Sequence, residues 1–151
     1  MIEIDLSSNL NAVLQQLQEK ARELNNLSPL MRRVAGIMAD AVEENFERQG
    51  RPRWKPLKES TIRQREKEGY WPGKILQRTG RLASSIESRY GKTEASVQVG
   101  GSQFPYAAIH QFGGKAGPGR KVEIPARPYL TLSDDDLKEI EEEFRIYLKE
   151  I

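Results

Sequence analysis

The sequence predicts an α+β domain: a small, mainly antiparallel sheet packed with two N-terminal helices and a C-terminal helix. Three observations lead there. Hydrophobic residues recur with period two in some segments and at three- and four-residue spacing in others. A long polar stretch, residues 50–79, separates the helical first third from the strand-rich middle. The length, 151 residues with 37% hydrophobic, is that of one ordinary domain able to bury a core. The expected organisation is therefore a single domain over 1–151 with a mobile loop at about 50–79.

At the start, Ile2, Ile4 and Leu6 alternate with Glu3 and Asp5, the pattern of a strand with one buried face. Ser7 and Ser8 then offer caps for a helix whose apolar residues are Leu10, Val13, Leu14, Leu17, Ala21 and Leu24. Ser28-Pro29 predicts a second helix start, a capping hydroxyl followed by proline where its missing N–H costs nothing. The stripe Leu30, Val34, Ile37, Met38, Ala41, Val42 and Phe46 carries that helix toward Gly50.

The next stretch, "GRPRWKPLKESTIRQREKEGYWPGK", holds three prolines and three glycines and allows at most a short charged helix over Glu59 to Glu68. It also holds Trp54 and Trp71, the only tryptophans. Either the indoles pin the loop to the body, or they are anchors that a partner orders. "ILQRTGRLASSI" returns the chain through a helical turn near Gly80 to Ser85. A hairpin follows, with Ile86, Ser88 and Tyr90 alternating outward, Ala95, Val97 and Val99 returning, and Gly91 in the connection. "YAAIHQF" is long enough for one or two helical turns ended by Gly113-Gly114. "KAGPGRK" reads as a flexible basic tip, and "KVEIPARPYL" as a short edge strand, Val122 to Ile124, cut by Pro125 and Pro128. Last, "SDDDLKEIEEEFRIYLKEI" combines a serine cap, an acidic first turn and the stripe Leu137, Ile140, Phe144, Tyr147, Leu148 and Ile151.

The net charge of +2 hides a segregation. Residues 51–92 hold 12 basic and 4 acidic side chains (+8), whereas 133–151 hold 3 and 8 (−5). Such a chain has a footprint for nucleic acid or two complementary surfaces for docking copies to each other or to a partner. No apolar run approaches the roughly 20 residues of a bilayer crossing. The first residues also lack the basic-then-apolar order of a secretory signal.

Catalysis finds little support. The one imidazole, His110, has no acid, nucleophile or co-ligand assigned to it, and without cysteine the common zinc sites cannot be built. The acids Asp134 to Asp136 are explained by capping. "GGKAGPGRK" lacks the spacing of a phosphate loop. We therefore expect no catalytic residue, no metal and no cofactor. In "YAAIHQFGG" we expect Tyr106, Ala107, Ile109 and Phe112 to pack onto the hairpin, with His110 and Gln111 bonding to nearby backbone. The basic segment has the ingredients for a nucleic-acid backbone, Lys55, Arg63 and Arg65 with Trp54 among them. No helix-turn-helix or RNA-binding signature accompanies it.

Five pieces in order, "WKPLKESTIRQR", "ILQRTGRLASSI", "VQVGG", "YAAIHQFGG" and "IPARPYL", resemble the phage virion morphogenesis family, the Mu-type tail completion proteins. The resemblance rests on Trp54, Leu57, Thr61, Leu76, Thr79, Gly80 and Leu82 in the first half. In the second half it rests on Tyr106, His110, Gln111, Phe112, Gly113 and Gly114, then Pro125, Arg127 and Pro128. It implies a non-enzymatic α+β structural protein of a phage or prophage, completing the tail or joining it to the head. It implies a ring-like homo-oligomer at the head–tail junction, assembled in the host cytoplasm. The partners it implies are copies of itself and the tail tube, terminator or head connector, with no membrane. On this reading the loop holding Arg51, Arg53, Trp54, Lys55, Arg63, Arg65 and Trp71 orders on assembly. The tip Lys115 to Lys121 would face passing DNA. The alternative is a small non-enzymatic nucleic-acid-binding module using segment 51–92.

Overall fold

The computed structural model describes residues 2–5, 26–101 and 104–150; side chains are described from residue 26 to residue 149. The helix predicted to begin after Ser8 lies outside these residues. The α+β class is as predicted. In chain order the elements are β1 (Ile2–Asp5), α1 (Ser28–Glu47), α2 (Glu59–Glu68), β2 (Glu87–Tyr90), β3 (Ala95–Val99), α3 (Ala107–Phe112), β4 (Gly114–Ala116), β5 (Val122–Ile124) and α4 (Asp134–Glu150). One sheet has the order β1-β3-β2, with β2 and β3 antiparallel from Glu87↔Gln98 to Tyr90↔Ala95. A second, two-stranded sheet pairs β4 with β5.

The stripe predicted for α1 is its buried face: Leu30, Val34, Met38, Ala41, Val42 and Phe46 are all buried, while Ile37 is only half so. Its start differs in one respect from the expectation. Ser28 is the first helical residue, and the capping oxygen is Oδ1 of Asn26, which accepts the Ser28 N–H at 2.9 Å. α4 begins with a reciprocal cap: the Asp136 N–H donates to Ser133 Oγ at 3.1 Å, and the Ser133 N–H donates to Asp136 Oδ2 at 2.8 Å. That pairing buries Asp136 and satisfies two otherwise orphaned donors.

Contacts divide the chain into two compact units. The second holds residues 3–5 and 26–41, Glu87–Gln98 and the C-terminal helix. Its buried residues include Leu30 and Met38 of α1, Val97 of β3, and Ile140 and Phe144 of α4. Each such side chain contributes about 1.5–3 kcal/mol when fully buried. Outside them, Arg33 reaches Glu143 at 3.7 Å and lies over the Tyr147 ring. β2 is an edge strand and is exposed along its whole length, so its alternation does not mark a buried face.

The first unit holds Val42–Ile86 and Val99–Thr131. Phe46 is its aromatic centre, stacked on Tyr129 at 5.1 Å and edge-on to Trp54 at 5.9 Å. Asn45, on the apolar side of α1 and fully buried, donates Nδ2 to the carbonyls of Tyr129 at 2.7 Å and Thr131 at 2.9 Å. Its Oδ1 accepts from Arg51 Nε at 2.7 Å. One amide thus holds both the segment from Tyr129 to Thr131 and the start of the long loop.

Candidate functional site

The five sequence pieces are cross-tied by side chain to backbone bonds. Trp54, buried, donates its indole N–H to Pro128 O at 2.8 Å. Arg127 donates Nε to Lys55 O at 2.8 Å and Nη2 to Pro56 O at 3.0 Å. Gln111 Oε1 accepts the N–H groups of Tyr129 and Leu130, both at 3.0 Å, and so acts as a strand partner for a segment that proline excludes from the sheet. The Tyr129 hydroxyl donates to Ala107 O at 2.6 Å, and burial raises its pKa well above the ordinary phenol value. Ser85 Oγ accepts from the Gly100 N–H at 2.9 Å.

These ties hold open a cleft of about 620 Å³ within the first unit. One wall is α2 with the turn that leads into it, bringing Leu57, Thr61 and Arg65. The returning loop supplies Leu76, Thr79, Gly80 and Leu82. Tyr106 and His110 come from α3 and its cap, and the opposite wall is β5 with Pro125 and Arg127. Ten of the positions that carry the resemblance, spread from Leu57 to Arg127 in the sequence, therefore converge on one concavity. Leu76 stands there with φ of 62°, a left-handed backbone that costs a bulky residue about 1–3 kcal/mol.

The others are elsewhere. Trp54, Gln111 and Pro128 form the support described above. Phe112 ends α3 and is 70% exposed, against the expectation that it packs on the hairpin. The reason is local: Ala107 and Gln111, four residues apart, form the buried face of α3, and Phe112 stands one position beyond it on the helix. Among the loop residues, Arg51 bonds Asn45 and pairs with Glu44 at 3.3 Å, Lys55 lines the cleft, Arg53 and Arg63 are exposed, and Trp71 is half-buried. The tip 115–121 is less open than the sequence suggests, because Gly114–Ala116 pairs with Val122–Ile124 as a short hairpin.

The cleft is basic. Lys55, Lys58, Arg65, Arg78, Arg81 and Arg127 line it against Glu68 and Glu123. Glu68 is engaged by Arg78 at 2.9 Å. His110 is held below its ordinary pKa by burial and then by the charge of Arg127, and its Nδ1 is buried with no hydrogen-bond partner among the described residues. No group of three or more potential metal-ligating side chains occurs among the described residues. No helix among them is long and apolar enough to cross a membrane. Sequence reasoning missed Asn45 and the burial of Arg65. Asn45 was legible, three residues after Val42 on the apolar stripe; Arg65, among exposed charges, carried no such signal.

Comparison with known proteins gives one consistent result. Residues 7–149 match the sequence profile described as the phage virion morphogenesis family. "Mu-like prophage FluMu G protein 2" of Haemophilus influenzae is 46% identical over 153 aligned positions, covering 99% of this chain and 100% of the relative. "Putative capsid assembly protein G" of Escherichia phage Mu is 33% identical, covering 91% of each. "Mu-like prophage FluMu G protein 1", also of Haemophilus influenzae, is 32% identical, covering 85% of this chain and 84% of the relative. No solved structure matches the chain.

Proposed function

The chain belongs to the phage virion morphogenesis family, and from that premise we propose that it is an assembly protein completing the phage tail or joining it to the head. In this reading copies form a ring at the head–tail junction and meet the tail tube, the terminator or the head connector. The work is assembly, not catalysis.

The observation that supports the assembly reading is the set of large apolar side chains that the first unit leaves exposed. Phe112 is 70% exposed, and Tyr106 and Val122 are 42% and 46% exposed. A ring is built from a heterologous contact, in which one patch meets a different patch of the neighbouring copy. Large apolar side chains that the fold leaves outside are what such a contact buries. The opposite charges of segments 51–92 and 133–151 supply unlike faces of the required kind.

The nucleic-acid-module reading is weakened by how the basic residues are used. Arg51 pairs with Glu44, Lys74 with Glu47, Arg78 with Glu68 and Arg89 with Glu87. Each such pair removes charge from any footprint.

Disrupting the gene in an inducible phage and imaging the lysate tests the proposal. Separate filled heads and tails, restored to joined virions by the protein in trans, are expected. Normal virions in its absence would sink it.

A further inference from the structure

Two buried arginines of the cleft lack the partner that burial of a charge demands. Arg65 is 7% exposed and Arg127 is 6% exposed. Arg65 donates Nη1 to Lys74 O at 3.0 Å, and among the described residues Arg127 donates its side-chain N–H groups to the carbonyls of Lys55 and Pro56. Among the described residues neither forms an ion pair; of the two carboxylates that line the cleft, Glu68 pairs with Arg78 and Glu123 pairs with neither buried arginine. A buried guanidinium without an anion is unfavourable because desolvation of the charge is not offset, and this cleft holds two. Burial, then the neighbouring guanidinium of Arg78 for Arg65 and of Arg65 for Arg127, lowers the pKa of each.

The opposite wall is a strand edge. β5 pairs only with β4, so its outer edge has no strand partner among the described residues. Four consecutive residues, Val122 to Pro125, line the cleft and none of β4 does. A strand that turns one face to a cavity contributes alternate residues; a consecutive run means that the edge itself is presented. Between this edge and α2 the floor is apolar, with Leu57, Leu76 and Leu82.

We propose that the groove between α2 and β5 docks an extended acidic segment of a partner protein, added as a strand along the outer edge of β5 with carboxylates at Arg65 and Arg127. Main-chain bonds to the edge supply affinity, and the arginine–carboxylate bonds supply register and charge selectivity. A phosphate backbone fits less well, because the two unpaired guanidinium groups are buried in a cleft with an apolar floor and not strung along an exposed surface track. The proposal rests on the assembly reading for the source of the segment, another virion protein. Chemically it stands on the groove alone.

The test is fluorescence anisotropy on the full chain with a labelled, end-blocked peptide of about ten alternating glutamate and valine residues. The same peptide N-methylated at alternate amides, a lysine–valine counterpart and a single-stranded oligonucleotide are compared with it. Saturable binding of the glutamate peptide, weakened about tenfold or more by N-methylation, is expected. Arg127→Gln should weaken it equally. Because that variant also loses bonds to Lys55 and Pro56, Lys58→Glu, exposed at the mouth of the groove, is the second probe and should weaken binding without altering the fold. Absence of binding, equal binding of the lysine peptide, indifference to N-methylation, or displacement by the oligonucleotide at like affinity would each overturn the proposal. A negative peptide result leaves the gene-disruption phenotype untouched, and normal virions from the disrupted phage leave peptide binding untouched, so the two failures are distinguishable.

Discussion

The indole N–H of Trp54 donates to the carbonyl of Pro128 at 2.8 Å, across 74 residues of sequence. It joins the first residue of the loop's "WKP" run to the proline that keeps the following segment out of the sheet. Trp54→Phe keeps a ring beside Phe46 but leaves that carbonyl without its donor, at about 1–3 kcal/mol. Trp54→Ala also removes the buried ring and should cost about 3–5 kcal/mol. Denaturant midpoints measure both. Equal midpoints for Trp54→Phe and the natural chain would mean that the bond contributes nothing.

Gly113 separates two roles within "YAAIHQFGG". Its φ is 72°, and a Cβ there would stand 2.8 Å from the Ala126 N and 3.0 Å from the Ile124 O, both backbone atoms that cannot yield cheaply. Gly113→Ala should therefore destabilise by more than about 1 kcal/mol. His110→Ala, which removes an imidazole with an unpartnered Nδ1, should cost less. The thermal unfolding temperatures of the two variants decide the order, and the reverse order would contradict the backbone argument.

What the sequence made legible follows from period and punctuation. The face of α1 and the stripe of α4 are read from spacing, and the β2–β3 hairpin from alternation around Gly91. β4 was not legible, because Gly114, Lys115 and Ala116 have neither the alternation nor the branched side chains of a strand. They pair because β5 is brought alongside by the turn at Pro118–Arg120. The cleft was illegible for a different reason. Its members were singled out one by one, but their convergence is tertiary, and the burial of Arg65 and Arg127 runs against the rule that charges face water. Composition gave Arg65 the same weight as exposed Arg63; only the fold separates them.

The long loop is held at both ends of a short span. Arg65 and Ile75 are buried, and Ile75 N–H donates to Gln49 Oε1 at 3.0 Å, whereas residues 66–70 and 72–73 are exposed. We propose that the mobility expected of residues 50–79 is concentrated between these two anchors. Brief trypsin digestion of the purified protein should first cut this loop after Lys67, with Arg65 protected. Mass spectrometry of early fragments reads the site, and a first cut after Arg53 or Arg65 would count against the proposal.

His110 supplies a reporter, because the chain has no other imidazole and its ring protons give a single titrating set by NMR. Burial and then the charge of Arg127 hold its pKa below 6.5 in the folded protein. The unfolded chain therefore binds the proton more readily, and folding stability falls as pH drops from about 6.5 toward the folded pKa, then levels off below it. Above the unfolded value both states are neutral and this loss is absent. His110→Gln should flatten the stability profile across that window. Arg127→Gln should raise the folded pKa only part of the way to 6.5, because burial is the larger cause. The Tyr106 ring lies edge-on to the imidazole, 5.9 Å away between centroids. An imidazole titrating at or above 6.5 in the folded chain would mean that an anion already compensates Arg127, and the case for a cleft short of negative charge would go with it.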